Sequence, residues 1–355
     1  METQKFIIEA SAAESMAKKA GLTTAIQLLP KLVKSAQKLA RTPISKYHVG
    51  AVGLGSSGRI FFGVNLEFPN LPLHHSVHAE QFLLTNLSLH GESSLSHLAV
   101  SSAPCGHCRQ FLQEIRNASN TQILILPEDD KNSDFNEDPY VKLIDLLVQP
   151  FGPNDLLQKE VPLLLERHNN RLELVNQHVN GEDKKLRNGF SSLALEETDD
   201  EKKKLGNGFL NSSDLESNMV TVALEAANNA HAHYSKCPSG VSLMDSEGKF
   251  YKGSYAESAA YNPSLGPLQA AIIGYIASGG KGYDKIVKAV LVEKEDAVVK
   301  QEDTARLLLK MISPNCEFTV VHCCSSDAKS NGPEHRPKQP GWSCRPNYRS
   351  ELNLN

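Results

Sequence analysis

The sequence predicts a layered α/β protein whose basic unit is built twice along one chain. Two observations carry this expectation. Strand-like and helix-like patterns alternate along the chain, which favours sheets covered by helices. The first half also recurs in the second at an offset of 190 residues, without a gap across 23 positions. Ser45-Lys46 returns as Ser235-Lys236, Gly50 as Gly240, Gly58-Arg59 as Gly248-Lys249, Gly63 as Gly253 and Glu67 as Glu257.

Each copy opens with a strand, a glycine turn and a second strand: Val49–Leu54 with Arg59–Asn65, and Gly240–Met244 with Lys249–Tyr255. A helical stretch follows at Ser76–Leu89 and at Pro263–Ala277. A strand is then expected at Leu95–Ser101 and Lys285–Val292, and a helix at Cys105–Arg116 and Glu302–Met311. The expected organisation is an N-terminal segment (1–20), a first domain (21–167), a polar linker (168–218), a second domain (219–324) and a polar tail (325–355). Linker and tail lack apolar periodicity and are expected to be disordered. The linker holds a short tandem repeat, Lys184–Phe190 returning as Lys203–Phe209.

The chemistry is confined to the first copy. His78-Ala79-Glu80 is followed, 27 residues after the histidine, by the first cysteine of Pro104-Cys105-Gly106-His107-Cys108. One imidazole and two thiolates are a zinc ligand set, and three ligands leave a position for water. At helix starts, free N–H groups and partial positive charge favour thiolates, and the i, i+3 spacing puts both sulfurs on one face. Glu80, two residues from His78, suits proton transfer better than ligation. A closed structural site would need a fourth ligand, which His107, His74, His75 or His48 could supply. A zinc ribbon would show a second paired motif, and none follows. Arg109 is expected to donate towards the thiolates. In the second copy the positions of His78, Glu80, Cys105 and Cys108 fall on Leu268, Ala270, Glu295 and Val298. That half is therefore expected to be degenerate, leaving one zinc per chain.

The runs Lys46-Tyr47-His48-Val49-Gly50-Ala51, Gly63-Val64-Asn65-Leu66-Glu67, His78-Ala79-Glu80-Gln81 and Pro104–Gln110 resemble cytidine deaminase. The resemblance is to the two-domain, homodimeric type of plants and some bacteria, and spans roughly residues 20–165 and 219–324. It implies a three-layer α/β/α unit with a mixed sheet, duplicated, with the second copy degenerate. It implies zinc on His78, Cys105 and Cys108, with Glu80 shuttling protons. Asn65-Leu66-Glu67 would hold the ribose hydroxyls, and the backbone of Ala79 and Ala103 would read the pyrimidine edge. Tyr47 stands where many relatives place Phe against ribose or base. The degenerate domain would complete the partner's active site in a homodimer. The implied reaction is hydrolytic deamination of cytidine and deoxycytidine to uridine and deoxyuridine, a hydrolase reaction on a cyclic amidine that serves pyrimidine salvage.

A net charge of −4 argues against an extended nucleic-acid surface. No apolar run of roughly 18 residues occurs, so no membrane span is expected. Seven scattered cysteines and no apolar leader point to a reducing cytosol. A deaminase of nucleotides or RNA, and a zinc-stabilised scaffold or nucleoside-binding paralogue, are the competing readings. A carboxylate at Glu67 disfavours a phosphorylated substrate.

Overall fold

The computed structural model describes residues 6–126, 140–175 and 212–326. Its first half runs β1 (Ile7–Ile8), α1 (Ala10–Lys19), α2 (Leu29–Gln37), β2 (Gly50–Gly55), β3 (Ile60–Val64), α3 (Ala79–Leu89), β4 (Leu95–Val100), α4 (Gly106–Phe111), β5 (Gln122–Ile125), β6 (Val141–Lys142), α5 (Leu143–Leu146) and α6 (Pro153–Leu156). The second runs β7 (Leu172–Leu174), α7 (Ser212–Asn228), β8 (Ser239–Asp245), β9 (Phe250–Ser254), α8 (Pro267–Ala277), β10 (Ile286–Lys294), α9 (Glu302–Ile312) and β11 (Glu317–Ser325).

Two mixed sheets result, ordered β1-β3-β2-β4-β5-β6 and β7-β11-β10-β8-β9. In each, one parallel pair (β4 with β5, β10 with β11) is set among antiparallel ones. The duplication holds at the level of register: Gly50 pairs with Val64 as Gly240 pairs with Ser254, and Ala51 with Gly63 as Val241 with Gly253. It extends to the backbone, since Lys46 and Lys236 share the left-handed conformation at φ 59° and 57°.

Glycines set how closely the helices approach. A Cβ on Gly50 would lie 2.6 Å from the Gln37 nitrogen of α2, whereas one on Gly63 would collide with the Ala79 carbonyl oxygen and lie 2.7 Å from the Leu83 nitrogen of α3. Gly63 pairs with Ala51, the residue after Gly50, so the two glycines face opposite sides of the sheet. Helix α2 therefore covers one face and α3 the other. Gly240 and Gly253 repeat the arrangement, against Ala227 of α7 and Ala271 of α8. Gly63→Ala is expected to cost about 1–3 kcal/mol or more, because the obstacle is helix backbone, which cannot rotate aside. Urea unfolding measures this, and a loss under about 0.5 kcal/mol would show that α3 can back away from the sheet.

Helices α3 and α8 are buried on nearly all sides, α8 with an almost wholly apolar sequence and α3 with the polar Glu80, Gln81 and Asn86 among its buried residues. A helix with that pattern needs partners all round. Each packs on its own sheet and against the other helix, so one core runs through both halves. Gln81 on α3 donates to the Pro263 carbonyl at 3.0 Å, and Arg41 donates to the Gly280 carbonyl while lying over the Tyr283 ring.

Several boundaries differ from the sequence reading. The N-terminal segment contributes β1, an edge strand on β3, and α1. The expected linker is structured at both ends: Leu172–Leu174 pairs with β11, and α7 begins at Ser212. Leu172 and the Met219 and Ala223 positions of α7 share a buried cluster, which binds these ends to the second sheet. The expected helix at Cys105–Arg116 is α4 followed by a 3-10 turn at Leu112–Glu114. The tandem repeat and residues 327–355 lie outside the described residues.

Candidate active site

His78 and Cys105 each occupy the extended residue preceding a helix, with ψ of 155° and 170°. The chain enters α3 through a bridge in which Leu66 and Val77 exchange both backbone hydrogen bonds. Gln81 Oε1 accepts from the His78 nitrogen at 3.2 Å, fixing the first turn. Cys108 lies in the opening turn of α4, fully buried, while Cys105 is exposed.

The three candidate ligands converge. Cys105 Sγ lies 3.7 Å from Cys108 Sγ and 3.5 Å from His78 Nδ1, and Cys108 Sγ lies 3.2 Å from that nitrogen. Around tetrahedral zinc, two sulfurs stand about 3.8 Å apart and a sulfur and an imidazole nitrogen about 3.5 Å. The donor set therefore fits zinc in both chemistry and size. His107 belongs to the same group, in which one donor atom of each residue lies within 4.8 Å of the others. Glu80 does not belong to it.

Electrostatics separate the roles. Cys105 is drawn down to about 4, first by the Cys108 thiol and then by the backbone N–H groups of α4. Cys108 is pushed up by the Cys105 sulfur, by burial and by Glu80, and a cation between the sulfurs would reverse that shift. Glu80 is only 4% exposed, and desolvation raises its carboxyl above the usual range. Its Oε2 lies 3.3 Å from Cys108 Sγ. His107 is held towards its neutral form by burial.

The other sequence-derived residues divide by surroundings. Asn65 Oδ1 accepts from the Val49 nitrogen at 2.9 Å, and its Nδ2 donates to the Tyr47 carbonyl at 2.9 Å. Glu67 accepts from the Ile44 and Ser45 nitrogens and from the Ser45 hydroxyl, which lowers its carboxyl against the opposing effect of burial. Glu257 makes the same three bonds with Tyr234 and Ser235 in the second half, so this network also shapes the fold. Tyr47 is 50% exposed and its hydroxyl lies 2.7 Å from that of Ser102. Ala103 is exposed and Ala79 buried.

Two of the expected site residues make their contacts within the fold. The Leu66 side chain is fully buried and its backbone N–H and C=O pair with Val77, which fixes the course of the chain between Asn65 and Glu67. Arg109 donates to the Pro104 and Leu146 carbonyls, both at 2.7 Å, bracing the Pro-Cys turn from behind. Missed by the sequence reading were Gln81, Pro263 and Asn262, whose backbone bonds to the His107 ring. This chain's own second domain thus reaches its first-domain centre. Gln81 directly follows His78-Ala79-Glu80 in sequence, but its partner lies 182 residues away. At the corresponding positions of the second half, Leu268 and Ala270 are buried in the core, and Val298 is exposed.

Two matches cover most of the chain: residues 23–124 and 143–306 each match a family described as the cytidine and deoxycytidylate deaminase zinc-binding region. The chain belongs to this zinc-dependent deaminase family. It is 55% identical to cytidine deaminase 1 of Arabidopsis thaliana over 91% of this chain and 99% of that protein. It is 47% identical to cytidine deaminase 7 of the same plant, over 90% and 94%. The crystal structure of cytidine deaminase from Mycobacterium tuberculosis shares 29% identity, covering 36% of this chain and 96% of that one, with a TM-score of 0.30.

Proposed function

We propose that the protein deaminates cytidine and deoxycytidine to uridine and deoxyuridine, consuming one water and releasing one ammonia. The observation that carries this is the pairing of a zinc-sized His78–Cys105–Cys108 triangle with a buried carboxyl, Glu80, outside the donor group. Held by those three residues, one zinc supplies the positive charge that makes a water acidic near neutral pH. Glu80 takes a proton from the attacking water and passes it to the pyrimidine ring nitrogen, then takes the second proton from the newly added hydroxyl and gives it to the amine, which leaves as ammonia. Its raised carboxyl suits a group that must hold a proton between those steps. Asn65 and Glu67 bind the ribose hydroxyls, using acceptor and donor capacity left beyond their loop contacts. Tyr47 stacks beside the sugar or base, and backbone groups of Ala79 and Ala103 read the pyrimidine edge.

The protein acts as a homodimer in the cytosol. Leu73 and Tyr261, highly exposed on the loops leading into α3 and α8, suit cover by a second copy. Six described cysteines are free, as a reducing compartment requires. Among the described residues no helix is long and apolar enough to cross a membrane.

His107 favours one competing reading, a closed four-ligand zinc with no room for water. Steady-state assay of purified protein on cytidine, deoxycytidine and their monophosphates separates the cases. Both nucleosides should yield ammonia, with kcat/KM for the monophosphates at least ~10-fold lower because Glu67 repels phosphate. Preference for a monophosphate would overturn the nucleoside assignment. No turnover of any substrate by zinc-loaded protein would favour the closed site.

A further inference from the structure

A second cluster of imidazoles lies between the two halves. His168 follows the last turn of the first domain, and His231 and His233 precede β8 of the second. One ring nitrogen of each lies within 4.8 Å of the other two. His231 is only 1% exposed.

Each ring is gripped at its outer nitrogen by an oxygen. His168 Nδ1 lies 2.7 Å from the Glu166 carbonyl, and His231 Nε2 lies 3.1 Å from a carboxylate oxygen of the fully buried Glu114. His233 hydrogen-bonds the Pro162 backbone, where only a carbonyl is available. Carbonyls and carboxylates accept, so in neutral rings these outer nitrogens carry the hydrogens. The inner nitrogens, His168 Nε2, His231 Nδ1 and His233 Nε2, are left with lone pairs. Burial and the neighbouring rings hold His168 at about 4, which keeps it neutral.

The inner nitrogens are crowded and unsatisfied. His168 Nε2 and His231 Nδ1 are 3.2 Å apart, and His233 Nε2 is buried with no hydrogen-bond partner. Two lone pairs at that separation repel unless a cation lies between them or one ring takes a second proton. Two imidazole nitrogens on a tetrahedral zinc stand about 3.3 Å apart. Metal-binding histidines almost always donate their other N–H to a carboxylate, carbonyl or water, as all three rings do here.

We propose that His168, His231 and His233 bind a second divalent cation of the zinc type, which staples the two domains together. It is not a remnant of the lost motif, since at the 190-residue offset His231 corresponds to Arg41 and not to His78. The site crosses between the halves: His168, its anchor Glu166 and the Pro162 carbonyl that grips His233 come from one, His231 and His233 from the other. Glu114 reinforces the crossing, accepting from the Ala259 nitrogen at 2.7 Å and the Tyr234 hydroxyl at 2.6 Å. With its oxygens committed, Glu114 is unavailable as a base, so the site is structural. The metal expected per chain rises from one to two.

Full-length protein loaded with Zn²⁺, and separately with Co²⁺, then dialysed, tests this. Elemental analysis should give about two metals per chain. Only one of the two cobalt ions should show thiolate-to-metal charge transfer, because the second site has no sulfur. His168→Ala and His233→Ala should each bind about one metal, keep the charge-transfer band and melt at lower temperature than the wild type. One metal per chain in the wild type at saturating zinc would overturn the proposal, leaving three imidazoles that share a proton. Should the variants fail to fold, the wild-type count and cobalt spectrum still decide.

Discussion

Glu80→Gln is expected to keep its zinc and bind cytidine while turning over at least ~10²–10⁴-fold more slowly. The substitution preserves size and hydrogen bonding and removes only the ability to carry a proton. Glu80 lies outside the group formed by His78, Cys105, His107 and Cys108, so metal content at that centre should not change. Its side chain is buried beside Cys108, so bulk water cannot readily replace it as the proton carrier. Elemental analysis, equilibrium dialysis with cytidine and a single-turnover assay read the three quantities separately. Lost zinc would make Glu80 a ligand, and unchanged turnover would remove it from the mechanism.

The zinc motif was legible because its members lie close in sequence and each needs a particular chemistry. The duplication was legible through Gly50, Gly63 and their counterparts, where helix backbone approaches too closely for any side chain. Contacts made only by folding were hidden. Nothing near Gln81 announces a bond to Pro263, and nothing near His107 announces Asn262. The triad between the halves left a partial signal, since His231 and His233 stand only two residues apart. The third ring, His168, is 63 residues away in a stretch that composition assigned to a linker. Asn65 and Glu67 show the converse. The sequence reading gave them to the substrate, yet the loop at Ile44–Val49 claims much of their hydrogen bonding, and Glu257 repeats that claim.

A chain ending after Glu166 is expected to lose at least ~10²-fold in kcat/KM for cytidine and much of its solubility. Helix α3 carries Glu80 in its first turn and follows directly on His78, and it is buried on nearly all sides only because α8 packs against it. Removing α8 exposes part of the shared core, and large exposed apolar patches promote association. Gln81 would lose the Pro263 carbonyl, His107 the Asn262 backbone and Arg41 the Gly280 carbonyl. Glu114 would lose Ala259, Tyr234 and His231 together, leaving its carboxylate to water or to an uncompensated site. None of these groups need touch substrate for the damage to reach the reaction. A displacement of about 1 Å in catalytic groups can cost ~10²-fold in rate. Light scattering and steady-state kinetics on the fragment check both halves of the expectation. A soluble fragment with wild-type kcat/KM would mean that the second domain contributes nothing to the first-domain site, whatever its contacts.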